Sequence, residues 1–259
     1  MNGNKRRGIV LQPRDLHLLS ELDVMRIVDR ETAKLIAGFG SRTQVNQRLL
    51  ELTRAGLLRK FFVGTIGSGR KAIYTLSTKG AQMVRAKLGG IQRPSGRLVV
   101  GDAFVEHQSG INDIYVKLKY GSVSPPAARL LRWHAFRQPI SEAIKLTPDG
   151  YCEIASGDTL RAMFLEVDLG TEALSVWQQK TASYLQLAVS GEFQKRFRHP
   201  QFRVLVVAHS DRRLNNIRAS VAKSTDKIFW FTTFENIQRD GLWSPLWLRP
   251  TGDQRLSLL

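Results

Sequence analysis

Residues 161–168, RAMFLEVD, alternate with a period of two and end on carboxylates. Met163, Leu165 and Val167 fall on one face, and Ala162, Phe164, Glu166 and Asp168 on the other. No other segment constrains the fold as tightly. A period of two specifies a strand, and it puts Glu166 and Asp168 on the same side, about 6.5–7 Å apart along the chain. Pro148-Asp149 opens a short strand-like stretch just before it, Tyr151 to Ile154, and Lys180 follows it on a helix. A strand-rich setting can thus bring three carboxylates and one amine together. In a chain with a formal charge of +17, converging acids need a reason. The chemistry that suits them is a hard divalent cation, Mg²⁺ or Mn²⁺, acting on a phosphodiester.

The net charge itself points to a polyanionic partner, nucleic acid before an acidic membrane surface. The 259 residues fit one large domain or two modest ones, and 42% hydrophobic residues can support real cores. No apolar run reaches the ~18–20 residues of a spanning helix, so no membrane insertion is expected. The basic start, MNGNKRRGIVLQPRD, lacks the apolar stretch of a signal peptide. Cys152 is the sole cysteine, which excludes an internal disulfide or a multi-cysteine zinc site and suits a reducing cytoplasm. The charge is uneven: residues 1–92 carry 17 Lys+Arg against 6 Asp+Glu, and residues 93–259 carry 22 against 16. Gly89 to Gly96 is rich in breakers and reads as a linker, giving domains 1–92 and 93–259.

In the first domain Pro13 opens a helix with Leu16, Leu19 and Leu22 on one face. Asp29 caps a second helix, Gly38 and Gly40 make a turn, and Ser41 caps a third. Val45, Leu49 and Leu52 form its buried stripe and Gly56 ends it. Strand-like Leu57 to Val63 and Ala72 to Leu76 flank a Gly-rich turn, and Thr78 starts another helix. This order, with TRAGLLRKFF and YTLSTKG, resembles a winged helix-turn-helix. The third helix is then the recognition helix. Arg42, Gln44, Gln47 and Arg48 on it are side chains of the type that read guanine and adenine edges, and Arg70 and Lys71 at the wing suit phosphate or minor-groove contact. Solvated polar positions are the alternative reading of the same residues.

The second domain reads as a helix from Leu98 to Leu118, strands at 129–136, 151–154 and 161–168, a helix at 173–189, the apolar strand FRVLVVA at 202–208, a helix at 213–223 and a strand at 228–232. That α-β-β-β-α-β-α-β order, with P-D at 148–149 and E-x-D at 166–168, resembles the PD-(D/E)xK nuclease superfamily over residues 98–235. The expected fold class is therefore α+β: an N-terminal winged helix-turn-helix followed by an α/β PD-(D/E)xK restriction-endonuclease-like domain. A winged helix before LTPDG, FLEVDLGTE and KTASYLQL further resembles the replication-relaxation family, which includes MobC-type plasmid relaxases. That resemblance implies a cytoplasmic bacterial protein that nicks double-stranded plasmid DNA at an origin of transfer, with an accessory mobilisation protein and a coupling protein as partners.

By that resemblance Asp149 and Glu166 match the metal-ligand positions. The usual lysine, two residues after Glu166, is replaced by Asp168, and Lys180 on the next helix is the candidate substitute. Trp177, Lys180 and Tyr184 share one helical face, an unusual setting for a solvated lysine, although a lysine can also snorkel past apolar neighbours. Asp168 is then a third ligand or a partner that orients Lys180. Glu106 is a secondary ligand candidate, and Glu142 and Glu153 are remoter ones. Cys152 and His134 read as packing residues, and the five histidines show no paired metal-ligand spacing. Two further readings stay open: a DNA-binding regulator of plasmid replication or transcription with a degenerate nuclease fold, and a relaxase attacking through Tyr115, Tyr151 or Tyr184.

Overall fold

The computed structural model describes residues 9–64, 69–85, 102–121 and 128–259. The expected linker and the tip of the glycine-rich turn lie outside these residues. The chain forms two compact units, Met1–Asn112 and Asp113–Leu259. Both combine helices with a sheet. Among the described residues no helix is long and apolar enough to cross a membrane.

In the first unit α1 (Pro13–Met25), β1 (Val28–Asp29), α2 (Arg30–Ile36) and α3 (Arg42–Arg54) precede the hairpin of β2 (Leu58–Gly64) and β3 (Arg70–Leu76), and α4 (Thr78–Met83) follows. The caps act where their side-chain chemistry directs. The Thr32 amide donates to Asp29 Oδ1 at 2.7 Å, and the Gln44 amide donates to Ser41 Oγ at 3.2 Å. Val45, Leu49 and Leu52 are buried, and Gly56 takes φ +74 just past α3, a conformation that favours glycine. Leu16 departs from expectation and is exposed, because α1 turns Leu18, Leu19, Leu22 and Met25 inward instead. β1 pairs antiparallel with β3, making the sheet order β1-β3-β2; two residues are too few to carry a sequence period.

A long helix, α5 (Asp102–Tyr120), contains the division between the units. Within the first unit its Val105 packs with Ile27, Val63 and Ile73, and Asn112 Nδ2 donates to the Ile27 carbonyl at 2.8 Å.

The second unit is built on one sheet in the order β4 (Ala128–His134), β5 (Gly150–Ser156), β6 (Thr159–Asp168), β7 (Arg203–Ala208) and β8 (Phe229–Thr233). The first two pairings are antiparallel and the last two parallel. Parallel pairing requires crossovers, which α6 (Leu174–Val189) with α7 (Glu192–Phe197) and then α8 (Asp211–Ala222) supply. α7 and the last helix, α9 (Phe234–Asp240), were not anticipated; six or seven residues give too little periodicity to read. The core between sheet and helices is strongly aromatic. Phe164 lies 5.1–5.9 Å, centroid to centroid, from Tyr151, Tyr184, Phe193, Phe197 and Phe202. Such ring pairs each add about 0.5–1.5 kcal/mol beyond area burial. This packing locks α6 against β6, which is what positions the carboxylates below.

Candidate functional site

Glu166 and Asp168 emerge at the C-terminal end of β6, where the parallel strands finish, on the face covered by α6. Both are buried. Their surroundings differ. Glu166 Oε1 accepts from the Tyr184 hydroxyl at 2.6 Å, and Oε2 from Lys180 Nζ at 2.9 Å. Lys180 also donates to both oxygens of Glu172, at 3.0 and 2.9 Å, and its ammonium sits 5.2 Å from the centre of the Trp177 ring. Asp149 enters from the start of β5, where its Oδ2 accepts from the Val167 amide at 2.7 Å, and its charge acts on both Glu166 and Lys180.

Two carboxylates therefore hold the amine directly, and a third, Asp149, acts on it through its charge. Burial pushes Glu166 up to about 7, against the pull of Lys180, and the charge of Asp149 adds to the rise. Burial alone would lower the Lys180 pKa, but Glu166 and Glu172 outweigh it and hold the pKa above the usual value. The ammonium is thus charged at neutral pH, while the Glu166 carboxyl is poised near its midpoint.

Asp168 belongs to a different cluster. Arg213, on α8, donates to both of its oxygens at 2.7 Å, and Trp177 Nε1 and the Gly170 amide donate at the same distance. Burial raises its pKa, yet these four donors hold it below the usual carboxylate range. Sequence reasoning offered Asp168 as a third metal ligand or as the partner that orients Lys180; in the structure its oxygens accept from Arg213, Trp177 and Gly170, while Lys180 is held by Glu166 and Glu172. Among the described residues no group of three or more His, Cys, Asp or Glu is arranged to hold a metal ion. Gly170 is required beside this brace: it has φ +86, and a Cβ there would lie 2.5 Å from His209 Cε1.

Sequence reasoning missed Glu172 and Arg213. Glu172 lies only six residues past Glu166, in the same acidic stretch, so proximity was a usable signal. Arg213 carried none, since its partner is 45 residues away. Of the remoter candidates, Glu153 accepts from Tyr151 and Arg132 and faces His199 at 3.4 Å. It is an ion-pairing residue of β5. Cys152 is buried as expected. Tyr115, Tyr151 and Tyr184 are at most 2% exposed, and burial raises the pKa of the last two, so none of the three is an accessible nucleophile.

The basic surface of the first unit also divides. Arg42, Gln44 and Gln47 lie on the exposed face of α3, with Arg42 3.1 Å from Glu31 and Gln47 donating to Glu51 at 3.2 Å. Arg70 and Lys71 line a cleft of about 570 Å³ with Arg30, Asn46 and Lys60, and Lys71 also pairs with Asp29. Arg48, expected among the base-reading side chains, is engaged within the unit. Its guanidinium donates to Asp15 at 2.9 and 2.5 Å, to Glu51 at 2.7 Å and to the Val10 carbonyl at 2.7 Å, which leaves no free fork for a base.

The fold and these clusters define a mixed α/β protein in two units, with an acidic site held by an amine in the second. A family model described as "Replication-relaxation" matches residues 16–199, and the chain belongs to that family. No curated protein and no solved structure gives a significant match.

Proposed function

We propose that this chain is a plasmid-mobilisation relaxase of the MobC type. In this reading the first unit is a winged helix-turn-helix that holds a chosen site on double-stranded DNA. The second is a PD-(D/E)xK-like domain that nicks one strand at an origin of transfer in a divalent-metal-dependent reaction. The observation that carries the reading is the convergence of Asp149, Glu166 and Lys180 at the C-terminal end of β6. That is the edge where open parallel sheets take their ligands.

The donor set suits Mg²⁺ or Mn²⁺. Asp149 and Glu166 offer hard oxygens, three carboxylates against one amine leave excess negative charge, and Mg²⁺ is commonly held by one or two carboxylates plus substrate phosphate. When bound, such an ion polarises a phosphate oxygen and lowers the pKa of a water. Lys180, kept charged by Glu172, supplies positive charge beside the scissile phosphate. Tyr184 orients Glu166. The Asp168–Arg213 pair, with Trp177, holds α6 and therefore the backbone that carries Lys180. Asp168 has this bracing role and no ligand role.

A supercoiled plasmid carrying the cognate origin tests the reading. With Mg²⁺ or Mn²⁺ the wild type converts it to open circle, and Asp149→Ala and Lys180→Met lower the rate about 100-fold or more while DNA affinity is retained. Equal nicking by wild type and Asp149→Ala would remove Asp149 from the site.

One feature favours a second reading, a DNA-binding regulator without catalysis: both oxygens of Glu166 are occupied by Tyr184 and Lys180. It predicts specific binding that survives substitution of Asp149 and Glu166, with no cleavage in either metal.

A further inference from the structure

Away from Glu166, at the start of the parallel strands, lies a cleft of about 420 Å³. Arg161 on β6 marks its position. It stands five residues before Glu166, roughly 16 Å along the strand. Arg203, Lys227 and Arg249 join Arg161 in the lining, together with Gln201 and Trp230, and no Asp or Glu lines it. Cations gather at a cost, because their repulsion grows as water is removed, and the nearby Asp226 charge offsets it in part at Arg249. Here burial, with Arg161 and Arg249 close by, pushes the Arg203 guanidinium down to about 10.

The arginines are also held in place. Arg203 and Arg249 lie 4.2 and 5.0 Å from the centre of the Trp230 ring, and they donate to the Leu258 and Asp226 carbonyls at 2.8 and 2.9 Å. Of the five buried side-chain polar atoms without a hydrogen-bond partner among the described residues, two belong to the lining, Arg161 Nε and Trp230 Nε1, and Trp230 is only 6% exposed. A solvated basic face would not bury unpaired donors. Guanidinium forks match the oxygens of phosphate, and the volume falls within the ~300–1,000 Å³ of small-molecule sites, larger than a lone ion requires.

We infer that this cleft is a second ligand site, which takes a phosphate-bearing group of nucleotide size. The chemistry is shared by a free nucleotide and by the phosphorylated end of a DNA strand. It is independent of the nuclease reading, since no residue of the acidic site lines the cleft.

Thermal unfolding of the whole chain with inorganic pyrophosphate, against NaCl of matched ionic strength, tests it. Saturating pyrophosphate raises the wild-type Tm by about 3 °C or more. Arg161→Gln and Arg249→Gln lose that rise, and Arg161→Gln without ligand melts no lower than wild type, since it relieves repulsion. Lys195→Gln removes the same charge from an exposed position and keeps the rise. Competition then distinguishes the sources. Displacement of pyrophosphate by a 5′-phosphorylated oligonucleotide, but not by its 5′-hydroxyl form, assigns a strand end; displacement by a deoxynucleoside monophosphate alone assigns a free nucleotide. No rise over matched salt, or a rise kept by both arginine variants, overturns the inference.

Discussion

At the residue scale, Glu166 and Asp168 have the same sequence context and opposite electrostatics. They are two positions apart on one face of β6, yet burial drives one pKa up while four donors drive the other down. The sign of the resulting pH dependence follows. Glu166 rises from its usual 4.5 to about 7, so the folded chain binds this proton more tightly than the unfolded chain does between those values. Its stability is highest below about 4.5 and falls as pH rises through about 7, by on the order of 3 kcal/mol. Glu166→Gln keeps a partner for Tyr184 and removes the charge. Its Tm is therefore expected to decline less than that of the wild type between pH 5 and 8, and an identical decline in the two proteins would place the buried proton elsewhere. Asp168 acts in the opposite sense: its contribution is present above the ordinary Asp value and lost as pH falls through its depressed pKa. Neither difference was legible in E-x-D. A carboxylate's charge state depends largely on donors supplied by distant segments, and here all but the Gly170 amide come from α6 and α8.

At the element scale, α3 buries an apolar stripe and exposes a polar face to which the proposed function assigns DNA contact. Its apolar stripe and caps could be read from the sequence, because both depend on spacing within thirteen residues. Which of its polar residues stay free depended on what packs beside it. Asp15 comes from α1 and captures Arg48. Burial pushes Asp15 up, but Arg48 and the Gln12 amide outweigh it and hold its pKa below the usual range. Removing one partner of such a buried pair is costly, so Arg48→Ala is expected to lose about 3 kcal/mol in denaturant unfolding. Arg42→Ala is expected to leave stability within about 0.5 kcal/mol of wild type and to weaken binding to the cognate DNA in an anisotropy titration. The reverse pattern would return Arg48 to the DNA-contacting face. The helical face Trp177, Lys180 and Tyr184 was legible for the same local reason as the α3 stripe, and all three side chains meet β6 carboxylates or their partners.

At the scale of the whole molecule, the proposed DNA binding draws on the excess of basic over acidic residues. DNA affinity is expected to fall with log salt at a slope of about −0.9 per phosphate neutralised, measured between 50 and 200 mM salt, with Asp149→Ala giving the same slope as wild type. A slope near zero would remove the basic surface from DNA binding. By itself the sequence determined the strands β2 to β8, the caps Asp29 and Ser41, and the placing of Glu166 and Asp168 on one face of β6. All of these follow from local periods and spacing. Only the tertiary structure decided that Asp168 pairs with Arg213 and Arg48 with Asp15, that Glu172 joins Lys180, and that Arg161, Arg203 and Arg249 share a cleft. Each of those outcomes depends on a partner delivered by another element, sometimes tens of residues away. Long-range pairing is set by how the sheet and helices pack, which no local period encodes.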